Sequence, residues 1–142
     1  MKLKRTTAAG AVALAVAGAG LAAAPQASAT SIDCHRYSAC LYYNSSSHGY
    51  GAYFEQTYDI PNYTPANQVP YKFGPGAFGS SGAGVNVKNH AAYVDNWHPY
   101  SSFTVYEFSA GGGSGRVDWI AAYGDADLTV THDNNAAGKF TG

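Results

Sequence analysis

The chain has little of what builds helices. After residue 29, leucine occurs only at Leu41 and Leu128, while all 12 tyrosines, 6 phenylalanines and 2 tryptophans fall there. That composition favours sheet over helix, and no helical period runs over a useful length. Basic residues are equally sparse. Lys2, Lys4 and Arg5 sit at the extreme N-terminus, which leaves 5 Lys and Arg against 9 Asp and Glu, a net of −4. This excludes the basic footprint that nucleic acid or an anionic membrane requires. Cysteine is limited to Cys34 and Cys40. With no CxxC spacing, and with His35 the one further ligand nearby, a metal or redox site is disfavoured. Catalytic signatures are missing too. The five histidines, His35, His48, His90, His98 and His132, show no HExxH spacing, and no GxSxG occurs. Gly111-Gly112-Gly113 lacks the Lys-Ser/Thr of a phosphate loop. Neither an enzyme nor a cofactor is expected.

What is present begins with an export signal. The basic start is followed by an apolar run, Ala8 to Ala24, and by the small-residue site Ala27-Ser28-Ala29. This is the pattern of a secretory signal peptide over 1–29, cleaved after Ala29. A retained anchor is disfavoured, because the run is rich in Ala and Gly and meets a cleavage site at once. No later stretch is apolar enough to span a bilayer. The mature chain, 30–142, is expected to be secreted, extracellular, monomeric and one domain. In that compartment Cys34 and Cys40 are expected to form one disulfide. Its short loop makes it worth about 2 kcal/mol.

The mature chain contains an echo of itself. Leu41-Tyr42-Tyr43-Asn44-Ser45-Ser46-Ser47-His48-Gly49-Tyr50-Gly51 returns without a gap as Val105-Tyr106-Glu107-Phe108-Ser109-Ala110-Gly111-Gly112-Gly113-Ser114-Gly115. Each copy reads as a strand end, a polar loop folded over on two glycines, and a new strand. Glycine tolerates the positive φ that such a reversal needs. The tyrosine at the strand end is expected to lay its ring over the loop and keep its hydroxyl wet. Internal repeats outrank other fold arguments, and this one implies two units, about 34–94 and 103–142.

Along the chain, Cys40–Tyr43 and Ala52–Gln56 read as the first two strands. Pro61, Pro65, Pro70 and Pro75 then break up a long connection, with at most a short strand at Val69–Phe73. Gly51 to Ala91 spans 40 positions, whereas Gly115 to Ala136 spans 21, so the first unit carries 19 extra residues here. Val85–Lys88 and Leu128–Thr131 alternate cleanly and read as strands. Val94–Ser102 reads as a linker, and Phe103–Phe108 and Arg116–Ile120 as the opening strands of the second unit. The fold expected is all-β, with two Greek-key units in one sandwich.

Several motifs together resemble a known family. Cys34-x5-Cys40-Leu41-Tyr42-Tyr43-Asn44-Ser45, Gly49-x-Gly51, Ile60-Pro61-Asn62, Gly82-Ala83-Gly84, Val87-Lys88-Asn89 and Asn134-Asn135-Ala136-Ala137 resemble the secreted peptidase inhibitors typified by the streptomycete metalloproteinase inhibitor. The resemblance implies a βγ-crystallin-like fold and a protein partner, a secreted peptidase, with thermolysin-like zinc enzymes first. It implies a stiff loop that enters the active-site cleft, where preorganisation supplies affinity. In the best-understood members a second disulfide braces that loop; here no cysteine follows Cys40. The candidate loop is Pro61–Gly82, with Val69, Phe73 and Phe78 as contact residues. The alternative is an ordinary surface connection whose Tyr71 and Phe73 cap the core.

Calcium binding is a further candidate. Crystallin-like domains can hold the ion through an Asn/Asp-Asn/Asp-x-x-Ser/Thr-Ser stretch. The corresponding places here are Asn134-Asn135-Ala136-Ala137-Gly138-Lys139, with Asp133 beside them, and Asn89-His90-Ala91-Ala92-Tyr93-Val94. Gly138 and Tyr93 stand where the hydroxyl is needed, which leaves Asp133, Asn134 and Asn135 as weak ligands. The competing function is a secreted crystallin-like structural or binding module, calcium-binding or not, without inhibitory activity.

Overall fold

A computed structural model describes residues 33–111 and 115–142; the expected signal peptide, 1–29, lies outside them. Among the described residues seven short strands form two antiparallel sheets. They are β1 (Ala39–Tyr42), β2 (Tyr53–Gln56), β3 (Tyr93–Asn96), β4 (Ser102–Tyr106), β5 (Val117–Ile120), β6 (Asp125–Asp127) and β7 (Ala137–Thr141). One sheet has the order β2-β1-β3-β6 and the other β5-β4-β7. Among the described residues the helical content is two three-residue 3₁₀ turns, Ser46–His48 and Ser109–Gly111. Each turn follows the end strand of one copy of the echo, after β1 and after β4.

The sheet order exposes an exchange between the halves. β6 follows β5 in the chain, yet it pairs with β3, through Tyr93↔Asp127, Val94↔Ala126 and Asp95↔Asp125. The second half thereby completes the sheet of the first. Between the sheets lies the main core: Leu41, Ile60, Tyr63, Phe73, Val87, Val94, Phe103, Val105, Ile120 and Leu128 are buried there. A second cluster covers the other side of the first sheet. It holds Cys34, Cys40, Tyr42, Tyr50 and Tyr93, with Tyr53, Phe78 and Trp97 packed against them. The disulfide is formed as expected, Cys34 to Cys40 with Cα atoms 5.7 Å apart. It ties the N-terminal segment onto that outer face.

Three expectations need correction. Leu128–Thr131 is a bend, not a strand. The Asp118 carboxylate collects the backbone N–H groups of Thr129, Val130 and Thr131 at 3.3, 3.0 and 2.7 Å, so they are not free for a ladder. Val85–Lys88 likewise joins neither sheet; it is stitched to 71–73, with Val87 N–H on the Tyr71 carbonyl and Phe73 N–H on the Val85 carbonyl at 2.9 and 3.0 Å. The linker Val94–Ser102 contains most of β3 and the first residue of β4. Tyr42 also differs in detail. Its ring lies 5.7 Å from Tyr50 of the folded loop, but its hydroxyl is buried with no hydrogen-bond partner among the described residues.

Two buried side chains lock the halves together. Asn135 is fully buried. Its Oδ1 accepts from the N–H groups of His90 and Ala91, both at 3.0 Å, and its Nδ2 donates to the Val87 carbonyl at 2.9 Å. Gln56 Nε2 donates to the Gly138 carbonyl at 2.8 Å, while its Oε1 accepts from the Tyr63 hydroxyl at 2.7 Å. Gly138 itself exchanges two backbone bonds with Ile60, at 2.9 and 3.0 Å. A Cβ at Gly138 would fall on the Tyr63 hydroxyl and the Phe103 ring. Gly138→Ala is therefore expected to cost about 2–4 kcal/mol, from overpacking and a broken buried hydrogen bond. Gly49→Ala meets open space but has φ +78°, and should cost only about 1 kcal/mol. Urea unfolding of the two variants checks this; equal losses would contradict it.

Candidate functional site

The long connection divides into a free part and a bound part. Its free part, 64–70, stands out from a firm neck. Tyr63 is fully buried; its N–H bonds the Ala136 carbonyl at 2.9 Å, and its own carbonyl accepts from Tyr71 N–H at 3.1 Å. Phe54 lies edge-on to both rings, 6.1 Å from Tyr63 and 5.3 Å from Tyr71. Inside the neck, Asn62 Oδ1 accepts from Thr64 N–H at 3.0 Å. A turn then runs from Pro65 to Gln68, with Gln68 N–H on the Pro65 carbonyl at 3.4 Å. Asn67 takes the third turn position at φ 60°, a conformation asparagine tolerates and most residues do not. Pro65 and Pro70 fix φ on either side of the tip. Val69 is 82% exposed, far more than an apolar side chain needs to be.

The bound part, 71–82, is part of the fold. Phe73 is 2% exposed and belongs to the main core. Phe78 is half-buried, with its ring 4.8 Å from Tyr50 and 5.9 Å from Tyr42. Gly74 exchanges backbone bonds with Tyr53 at 2.8 and 2.9 Å. The Asp33 carboxylate accepts from Ala77 N–H at 2.8 Å. Of the three candidate contact residues, Val69 alone points outward. Phe73 reaches no partner without unfolding, which matches the alternative reading that it caps the core.

The calcium candidates do not converge. Asn135 spends its oxygen on two backbone N–H groups. Asn134 Nδ2 donates to Glu107 Oε1 at 2.6 Å. Asp133 is exposed beside His132, with Nδ1 to Oδ2 at 3.3 Å. Asp133 and His132 line a cleft of about 260 Å³ with Tyr43, Asn44, Ser45, His48 and Ala92. Among the described residues, the one group with metal-capable atoms in range is Cys34, Cys40 and Glu55, and its sulfurs are already joined to each other.

No sequence signal marked the acidic groups of the outer layer. Asp95 is 4% exposed on β3, where it accepts from Trp97 Nε1–H at 2.9 Å. Burial pushes its carboxyl up to about 7, against the stabilising Trp97 bond and with a further push from Asp125. Tyr93 donates its hydroxyl to Asp125; burial first, and then that bond, raise the Tyr93 hydroxyl well above the usual phenol range.

No family model matches the sequence, and no curated protein matches it. Among solved structures it is similar to one described as "Evolution of the eye lens beta-gamma-crystallin domain fold". The TM-score is 0.51 at 9% sequence identity, covering 75% of this chain and 86% of that one. The protein has the βγ-crystallin fold. At this identity the likeness concerns fold alone.

The Asp95 environment sets a pH dependence. Its folded pKa lies above its unfolded value, so its contribution is fully present below about pH 4 and is lost as pH rises toward 7. Stability is expected to fall between pH 5 and pH 8, by about 1–3 kcal/mol. Asp95→Asn keeps the acceptor for Trp97 and should flatten that slope. Urea midpoints at the two pH values measure it; an unchanged slope in the variant would refute the assignment.

Proposed function

We infer that the protein is an exported inhibitor of secreted peptidases, thermolysin-like zinc enzymes first, and that residues 64–70 are the segment offered to the active-site cleft. The observation that carries this reading is Val69, an apolar side chain 82% exposed at the tip of a loop whose neck is pinned at Tyr63 and Tyr71. A loop held open before binding loses little entropy on binding. The buried Tyr63 and the two prolines take over the bracing that a second disulfide supplies elsewhere. Pro70 also removes a backbone N–H directly after Val69, so the segment cannot make every main-chain bond that a good substrate makes. That favours slow cleavage over turnover. The resemblance in the ordered motifs from Cys34 to Ala137 supports the same reading.

The test is a panel of thermolysin-like, subtilisin-like and trypsin-like enzymes titrated with mature protein. Stoichiometric loss of activity is expected for the first class. Val69→Asp should weaken inhibition at least about tenfold, or 1.4 kcal/mol, with unfolding midpoints unchanged because the side chain touches no core. No inhibition across the panel, or full inhibition by Val69→Asp, would overturn the reading.

A further inference from the structure

The segment 64–70 has two arms, and different parts of the molecule hold them. The entry arm, 60–63, is tied to the second half. Ile60 exchanges backbone bonds with Gly138, and Tyr63 N–H bonds the Ala136 carbonyl. Between these ties, Ala110 N–H donates to the Pro61 carbonyl. Ala110 belongs to the 3₁₀ turn Ser109–Gly111 and holds φ 70°. That left-handed conformation is costly for alanine and persists only where the surroundings impose it. The folded turn of the second half is thus seated on the root of the loop.

The exit arm, 71–73, is tied instead to the strip 85–88. Val87 N–H bonds the Tyr71 carbonyl at 2.9 Å, and the Val87 carbonyl accepts from the buried Asn135 Nδ2 at 2.9 Å. Lys88 follows directly, so its root is fixed. Its half-buried side chain crosses to the entry arm, where Nζ lies 3.5 Å from Asn62 Oδ1 and 3.3 Å from Ser109 Oγ. These contacts are long for hydrogen bonds; they join a full charge to two oxygen dipoles, an attraction that needs no ideal geometry. Among the described residues no carboxylate lies within ion-pair distance of Lys88. Its charge is therefore directed at these two neutral oxygens.

Asn62 is where the ties meet. Its Oδ1 accepts from Thr64 N–H at 3.0 Å, a local turn that aims the chain into the exposed segment. The same oxygen faces Lys88. We propose that Asn62 is a positioning residue for 64–70, and that Lys88, reaching across from the exit-arm strip, holds Asn62 in place against the turn 109–111. The effect on inhibition rests on the inhibitor reading; the fixing of Thr64 does not. Asn62 acts through the angle at which Val69 is presented. A loop whose entry is already fixed has less to order on docking.

Three variants of the mature protein test the proposal. Asn62→Ala removes the acceptor. Exchange of the Thr64 amide should then speed up about fivefold, the worth of one hydrogen bond, while the Leu41 and Val105 amides exchange as in the parent. Inhibition of a thermolysin-like enzyme should weaken by a similar factor. Asn62→Asp keeps the acceptor and gives Lys88 a carboxylate, so both quantities should return at least to parent values. Lys88→Met keeps the apolar stem and removes the charge; it should move both in the same direction as Asn62→Ala, by a smaller factor. Parental Thr64 exchange in Asn62→Ala would overturn the proposal, as would failure of Asn62→Asp to restore it. Faster exchange at Leu41 and Val105 in Asn62→Ala would overturn it too, because Asn62 would then support the whole fold. So would parental inhibition by Asn62→Ala. A parent that inhibits nothing in the panel would remove the inhibitor reading, and Thr64 exchange would still decide the role of Asn62.

Discussion

The fold depends on polar groups that have nowhere else to go. Asn135 carries a carboxamide into a site with no solvent, and its three hydrogen bonds all end on the backbone of the other half, at Val87, His90 and Ala91. An unmade bond there costs the full desolvation of the group. The halves must therefore close in one register. Strand exchange enforces the same register, since β6 finds its partner on β3 rather than beside β5. Asp127 on β6 then accepts from the Ser46 backbone N–H at 2.7 Å and the Ser46 hydroxyl at 2.6 Å. The folded hairpin of the first half is thus held by the second.

This closure decides what is left for function. The sheet of the first half is covered on both faces, by the second sheet on one side and by the cystine and tyrosine layer on the other. Much of the extra length of the first half is used in packing, with Phe73 in the main core and Phe78 against the outer layer, which is why both are structural. What escapes is the segment 64–70, raised on a neck whose Tyr63 bonds to Gln56, and Gln56 bonds to Gly138 of the second half. The stiffness of the loop is borrowed from the junction between the halves. The loops after β3 and β5 are held in a similar way, with the buried Asn96 Nδ2 donating to the Ser101 and Ala121 carbonyls.

Much of this was legible in the residues. The echo of 41–51 in 105–115 located β1 and β4 and their turns, and the presence of just two cysteines in a chain read as exported gave the disulfide. The strands β3, β6 and β7 were not legible. β3 reads Tyr-Val-Asp-Asn, and it buries Asp95 and Asn96 because Trp97 and the turn carbonyls satisfy them. β6 reads Asp-Ala-Asp and is exposed throughout, so no apolar pattern marks it; only its pairing partner does. Conversely, Leu128–Thr131 alternates like a strand, yet Asp118 collects its N–H groups and bends it. Alternation reports which side chains go inward and is silent on where the backbone bonds end. For the candidate site, the prolines announced the loop, but the division at Tyr71 depends on a buried neck that sequence spacing does not reveal.

The interlock makes the two halves a single cooperative body that cannot open separately. Native-state hydrogen exchange reads this out amide by amide. One shared opening free energy is expected for the amides of Leu41 on β1, Val105 on β4, and His90 and Ala91 at the Asn135 junction. A distinct, lower opening free energy for one whole sheet, with the other still protected, would contradict it.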